Sequence, residues 1–284
     1  MFGLTQSIFE EFEVLEITRE DRQSFCAQVC VNVVAEISLK LIVNGDELAS
    51  LLCMNQHHKP LALGFLFNEG VIQSMDDISG IVYSQGLQAV NVDLKPGIAV
   101  HRSGQIRSIT SGCGQCISYV NPQNNLLQYN ESTQIFKFEE ILDMMKRFMH
   151  QSDLFRDVGG VHSVLFYTPE FELLVEDIGR HNCVDKVAGL LLQNQNMERA
   201  ATGCLFISGR VSSEIVTKAI RLGIPVIVSR STPTSAAIRF AQEYGITLMI
   251  VTCLSGWFTI FRILSLPPMS GGDVALVLGP DSQG

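Results

Sequence analysis

From Val164 onward, short apolar runs and amphipathic stretches follow one another in turn, and this alternation constrains the fold more than any other feature. The runs at 164–167, 173–176, 204–208, 226–229 and 247–251 have strand length, and 182–193, 212–222 and 234–244 carry helical spacing between them. Strands alternating with helices that pack back on one sheet predict a three-layer α/β core with a mostly parallel sheet. Ligands in such sheets gather at the carboxyl ends of the strands.

The first half reads differently. Residues 36–43 alternate apolar and polar, Asn44-Gly45 supplies the positive φ of a tight turn, and 48–54 returns as a hairpin partner. Pro60 opens a short helix through Leu61, Leu63, Phe65 and Leu66, ended near Glu69-Gly70, and 78–83 with 89–94 form a second strand pair. Ile141, Leu142, Met145, Phe148 and Met149 make 138–151 an amphipathic helix that separates the halves. The organisation expected is a smaller strand-rich part at 1–136, an α/β domain at 137–266 and a loose tail at 267–284, a mixed α+β chain as a whole.

Composition excludes several classes. With 29 acidic against 20 basic residues the net charge is −9, so general nucleic-acid binding, which needs a cationic surface, is disfavoured, while a local basic pocket for one small anion is not. The amino terminus has no cationic segment leading into an apolar run, which points to a cytoplasmic protein. The uncharged run 245–261 falls short of the roughly 18–20 apolar residues of a membrane span and is broken by Thr247, Thr252, Ser255, Gly256 and Thr259. Two buried strands about a Ser255-Gly256 turn fit it better.

Eight cysteines stand at 26, 30, 53, 113, 116, 183, 204 and 253, and in a cytoplasmic chain they are expected reduced. Six read as small buried hydrophobes. Cys113 and Cys116, in Thr110-Ser111-Gly112-Cys113-Gly114-Gln115-Cys116, form the one close pair, with glycines leaving Cys113 uncovered. Zinc needs about four ligands, and no second pair completes a site. A thioredoxin-type pair belongs in a βαβ unit, which is not legible here. A persulfide carrier and an incidental loop pair remain open.

Three strand-to-helix junctions carry polar groups suited to an anion: 176–186 (Glu176-Asp177-Ile178-Gly179-Arg180-His181-Asn182-Cys183-Val184-Asp185-Lys186), 208–214 with Gly209 and Arg210, and 231–235 with Thr234. Ordinary capping by His181 or Asn182, with Asp185 in the first turn, is the competing reading of the first. His162 after Gly159-Gly160 reads as structural more readily than as an acid or base, and His57-His58 reads as surface.

Together with Gly64-Phe65-Leu66-Phe67-Asn68-Glu69-Gly70, these junctions and the Cys113/Cys116 loop resemble the formate dehydrogenase accessory sulfurtransferase family, FdhD, over about 43–261. The resemblance implies a cytidine-deaminase-like fold and a cytoplasmic homodimer. It also implies a sulfurtransferase that takes sulfur from a cysteine desulfurase and passes it to the bis-molybdopterin guanine dinucleotide cofactor, with molybdenum or tungsten, of the formate dehydrogenase catalytic subunit. Carried over by position, Cys113 bears the persulfide and Cys116 is its partner. Arg180, His181, Asn182, Gly209, Arg210 and Thr234 surround the guanine nucleotide ends, and Val251, Thr252, Cys253, Leu254, Ser255 and Gly256 form the cofactor-binding stretch. Gly112 stands where the family usually has Ser, Ile117 where it has a small residue, and the 251–256 stretch lacks an expected Arg. Zinc deamination needs His-x-Glu, and none of the six histidines has a Glu two positions on. A non-catalytic chaperone for the cofactor is the alternative function.

Overall fold

The computed structural model describes residues 7–20, 23–98, 100, 106–109, 117–120, 127–132, 136–151, 154, 158–254 and 257–263. Its first strands, β1 (Phe9–Glu20) and β2 (Gln23–Val34), form an antiparallel ribbon, and among the described residues neither pairs with another strand. β3 (Glu36–Val43) and β4 (Asp46–Met54) then form the expected hairpin, with Asn44 and Gly45 at φ 51° and 87°. A tight turn of this kind requires positive φ at both central positions, which Asn and Gly adopt most readily.

Helix α1 (His58–Asn68) follows, then β5 (Ile78–Ser84) and β6 (Ala89–Leu94), in a four-stranded sheet of order β4-β3-β6-β5. Alternation along β3 buries Ile37, Leu39, Leu41 and Val43 against Leu61, Leu63 and Leu66 of α1. Pro60 sits in the first turn of α1, where its missing N–H has no intrahelical partner to lose. The helix is buried from Pro60 to Leu66 because this sheet covers one side and a helix of the second half covers the other. Short strands β7 (Ile106–Ile109) and β8 (Ile117–Val120) pair antiparallel. Cys113 and Cys116 fall in the segment between them, outside the described residues.

The second half follows the alternation closely: α2 (Phe138–Gln151), β9 (His162–Thr168), β10 (Phe171–Asp177), α3 (Arg180–Gln193), β11 (Cys204–Ile207), α4 (Ser213–Leu222), β12 (Val226–Ser229), α5 (Ser235–Glu243), β13 (Thr247–Leu254) and β14 (Trp257–Ile263). The six-stranded sheet has the order β10-β9-β11-β12-β13-β14. Helix α2 packs on one face through Ile141, Met145 and Phe148, and α3, α4 and α5 pack on the other. These are the three layers expected.

The expectation of a mostly parallel sheet is corrected: only β11-β12 and β12-β13 are parallel, and the other three neighbour pairs are antiparallel. Connection length is the cause. Crossover helices α4 and α5 give the parallel centre, whereas Pro169-Glu170 and residues 255–256 join their strands over two positions, which permits only antiparallel pairing. Residues 267–284 lie outside the described residues. Among the described residues no helix is long and apolar enough to cross a membrane.

Two side-chain expectations also change. Cys53, Cys183 and Cys204 are buried as expected, but Cys26 and Cys30 are exposed, because the β1-β2 ribbon has no second layer over it among the described residues. His58 is half-buried rather than surface. Its ring stacks on Tyr83 at 4.2 Å between centroids, and burial, then the Lys186 charge, pushes its pKa down to about 4.

Candidate functional site

Strand direction brings the three junctions together. Since β9 runs antiparallel to both β10 and β11, the carboxyl ends of β10, β11, β12 and β13 share one edge with the amino end of β9, as Asp177↔His162, Ile207↔Val164, Ser229↔Ile207 and Ile250↔Ser229 register. The strand continues past that edge through Val251, Thr252, Cys253 and Leu254, which aligns the predicted cofactor stretch with the other motifs. Side chains of 252–254, and Ser255 and Gly256 altogether, are outside what is described.

Beneath the edge lies a buried anchor. Asp177 is fully buried and its Oδ2 meets Lys186 Nζ at 2.6 Å, also fully buried, while the same oxygen accepts from Met54 N at 3.2 Å. Its Oδ1 accepts from Gly179 N at 2.9 Å and Asn182 Nδ2 at 2.8 Å, and Asn182 Nδ2 also donates to Leu52 O at 2.7 Å. A carboxylate with three neutral N–H donors and a paired cation is stable away from water, where an isolated one is not. The loop 177–182 is thereby pinned to β4 of the first sheet. Asn182, predicted at the nucleotide end, is buried with its amide nitrogen committed to this anchor, so its part in the edge is to hold the loop.

Capping of α3 by a side chain, the rival reading of this junction, does not occur. Gly179 is the cap residue and no side chain bonds there. Asp185 instead bridges three helices, accepting from Asn68 Nδ2 at 2.7 Å and from Lys218 Nζ at 2.5 Å. Helices α1 and α3 cross so closely that a Cβ built on Gly64 would lie 1.7 Å from Asp185 O, and one on Gly189 would lie 1.8 Å from Pro60 O. Only glycine permits that approach.

On the outer side of the anchor, Gly209 faces His162 and Arg180. A Cβ at 209 would meet His162 Nδ1 at 3.1 Å and Arg180 Cδ at 3.5 Å. The backbone is tied across the edge by Ser163 N→Ser208 Oγ at 2.9 Å, Ser229 Oγ→Gly209 O at 2.9 Å, Arg230 Nε→Ser208 O at 3.2 Å and Thr234 N→Val211 O at 3.0 Å. Thr234 caps α5, its Oγ1 accepting from Ala237 N at 3.2 Å, and Arg210 is exposed at the end of β11. Burial first, then the charges of Arg180, His181 and Arg230, holds His162 below its usual pKa, so at neutral pH it is an uncharged imidazole.

His181 Nε2 lies 3.0 Å from Glu214 Oε2 and 3.2 Å from Ser212 Oγ. Burial alone pushes the Glu214 carboxyl up, but the hydrogen bond and charge of His181, with Lys218 and Arg180, bring it net below the usual range. Ser212 is no activated nucleophile here. Acid and hydroxyl share one ring nitrogen, whereas a triad uses opposite ring nitrogens, and Ser212 Oγ already accepts from Ile215 N as the α4 cap. What the edge offers is guanidinium groups, glycine-lined backbone and helix starts, a donor set for a phosphorylated ligand.

Arg180, His181, Gly209, Arg210 and Thr234 therefore share one edge, as the strand-end reading expects. His162, which reads from the sequence as structural, lies at the same edge, and the signal for that is its mirror position to Asp177 across the Pro169-Glu170 turn. Among the described residues, no three His, Cys, Asp or Glu side chains are gathered to hold a metal ion.

Comparison with known proteins identifies the family and the fold. Residues 34–262 match the FdhD/NarQ family. A Bacillus subtilis protein named sulfur carrier protein FdhD is 36% identical over 218 residues, 76% of this chain and 82% of that protein. A Saccharolobus solfataricus protein of the same name is 37% identical over 193 residues, 67% and 72% of the two chains. The crystal structure of a candidate formate dehydrogenase accessory protein from Desulfotalea psychrophila superposes with a TM-score of 0.67 at 20% identity, covering 90% of this chain and 97% of that one.

Proposed function

Because this chain belongs to the FdhD/NarQ family, we propose that it is a cytoplasmic sulfur carrier in the maturation of formate dehydrogenase, acting through Cys113 and Cys116. The observation that carries the reading is the shared edge where Arg180, His181, Gly209 and Arg210 meet, in a chain 36% identical to a protein named as a sulfur carrier. The thiolate of Cys113 attacks the terminal sulfur of a persulfide on a cysteine desulfurase. A new S–S bond forms on Cys113 and the desulfurase thiolate leaves. Attack of the Cys116 thiolate on the Cys113 sulfur then expels hydrosulfide and forms a Cys113–Cys116 disulfide, which a cellular dithiol reduces.

The acceptor is the bis-molybdopterin guanine dinucleotide of the client enzyme, with molybdenum or tungsten, bound as substrate. The edge fits its nucleotide ends: guanidinium groups of Arg180, Arg210 and Arg230 for diphosphate, with the missing side chain at Gly209 letting His162 and Arg180 close against the backbone of the edge. His162, neutral at pH 7, accepts or donates a hydrogen bond there without adding charge. Residues 251–254 continue the same edge, and the active species is a homodimer.

Intact-protein mass spectrometry after incubation with a cysteine desulfurase and cysteine tests the carrier step. The expected result is a gain of one sulfur atom, removed by reductant and lost in Cys113→Ala; no gain in wild type overturns it. The same edge also suits a cofactor chaperone without sulfur chemistry. That reading predicts that Cys113→Ala keeps formate dehydrogenase maturation while Arg210→Ala loses it.

A further inference from the structure

The candidate functional site uses one end of the six-stranded sheet. At the other end, where β11, β12 and β13 begin, the described residues border a cavity of about 790 Å³, a volume in the range of small-molecule sites. One wall is the segment 127–132, which is tied down by Asn130 N→Tyr244 O at 2.8 Å, Asn130 Nδ2→Gly223 O at 2.9 Å and Ser132 Oγ→Ala201 O at 3.0 Å. Phe67, Ile72, Ile220 and Leu222 supply apolar surface, and Tyr129, 48% exposed, adds an aromatic ring that solvent still reaches. Among the described lining residues Arg221 is the one cation and Glu131 the one carboxylate. The guanidinium reaches this wall because Gly70 has no side chain: a Cβ there would lie 2.8 Å from Arg221 Nη1.

Glu214, Lys218 and Arg221 follow one another at i, i+4 and i+7 along α4 and so share one face of it. On that face Glu214 is held by His181 and Lys218 by Asp185, both from α3, whereas the acid facing Arg221 is Glu69, at the end of α1. Burial first, aided by the charges of Asp185 and Glu214 and opposed by those of Lys218 and Arg221, pushes the Glu69 carboxyl up to about 7. Near neutral pH, therefore, Glu69 neutralises Arg221 only in part.

We propose that this cavity is a second binding site, for an organic monoanion whose carboxylate rests on Arg221 and whose apolar or aromatic body lies along Phe67, Ile72 and Tyr129. One guanidinium with two carboxylates in its neighbourhood, Glu69 and Glu131, favours a single negative charge over the two of a phosphate monoester. The site is separate from the candidate functional site, because Arg210 follows the carboxyl end of β11 and Thr202, on the cavity wall, precedes its amino end. A carboxylate on Arg221 stabilises the protonated form of Glu69, so binding takes up a proton and strengthens as pH falls through about 7. The site stands independently of the sulfur chemistry.

Calorimetric titration of the full-length chain with 1-naphthylacetate tests the proposal. One site per chain is expected, with affinity reduced at least tenfold in Arg221→Gln and unchanged in Arg210→Ala. Ala201→Trp, at an exposed lining position, keeps the melting temperature and blocks binding, so the site is also probed without disturbing a buried charge. Binding is severalfold tighter at pH 6 than at pH 8, between which the probe stays ionised, and Glu69→Gln removes that difference. 1-Naphthyl phosphate binds more weakly than the acetate at pH 8. No binding to the wild type overturns the proposal. So does binding that survives either Arg221→Gln or Ala201→Trp, that is lost in Arg210→Ala, that prefers the phosphate, or whose pH dependence is absent or persists in Glu69→Gln.

Discussion

Substituting Gly64 by Ala in the middle of α1 ought to strengthen the helix by about 1 kcal/mol on propensity alone. The crossing with α3 reverses that sign. The new Cβ would lie 1.7 Å from Asp185 O, 2.5 Å from Asp185 C and 2.9 Å from Gly189 N, all backbone atoms that no rotamer change can move. Relief requires the two helices to separate by about 1.5–2 Å, the shortfall from ordinary contact. That separation breaks the 2.7 Å bond from Asn68 to Asp185 and strains the 2.7 Å bond from Asn182 to Leu52, each worth about 1 kcal/mol net. Adding about 1–3 kcal/mol for overpacking and subtracting the propensity gain leaves a loss of about 2–4 kcal/mol. For a chain of this size the melting temperature falls by about 4–8 °C. Gly189→Ala, whose Cβ meets Pro60 O at 1.8 Å, has the same effect, and the double variant costs less than the sum because one separation relieves both clashes. Calorimetry with urea unfolding measures it. A melting temperature unchanged or raised in either single variant refutes the close crossing.

Two further outcomes follow from buried charge. Lys186→Met leaves Asp177 without its cation at a fully buried site and costs about 3–5 kcal/mol, read from the urea midpoint; an unchanged midpoint means that the pair is not closed. His58 has a folded pKa of about 4, below its unfolded value of 6.5, so the unfolded chain takes up the proton first and stability is lost as pH falls from 6.5 toward 4. His58→Phe keeps the ring against Tyr83 and flattens the fall in melting temperature over that window; an identical pH profile in wild type and variant refutes the assignment.

Much of the architecture was written locally. The strands at 164–167, 204–208 and 226–229 and the helix at 138–151 lie where periodicity puts them, because each buries a face that its own spacing defines. Asn44-Gly45 likewise announces its turn through backbone preference alone. The β1-β2 ribbon is not legible in the sequence, because its apolar positions are exposed and its glutamates interrupt the alternation of β1.

The residue types of the candidate site, and their attachment to strand ends, were determined by the sequence, since strand-to-helix junctions are local events. Tertiary structure decided which of them meet. Antiparallel β9 turns the ends of β10 and β11 to one edge and sets His162 beside Gly209, a relation between residues 47 positions apart. It also decided that Asp185 bridges helices instead of capping one, and that Asn182 clasps β4. Those outcomes depend on glycine-to-backbone contact between Gly64 and Asp185 and on buried pairing of charges. Neither has a period along the chain, because both arise only where distant segments exclude water from each other.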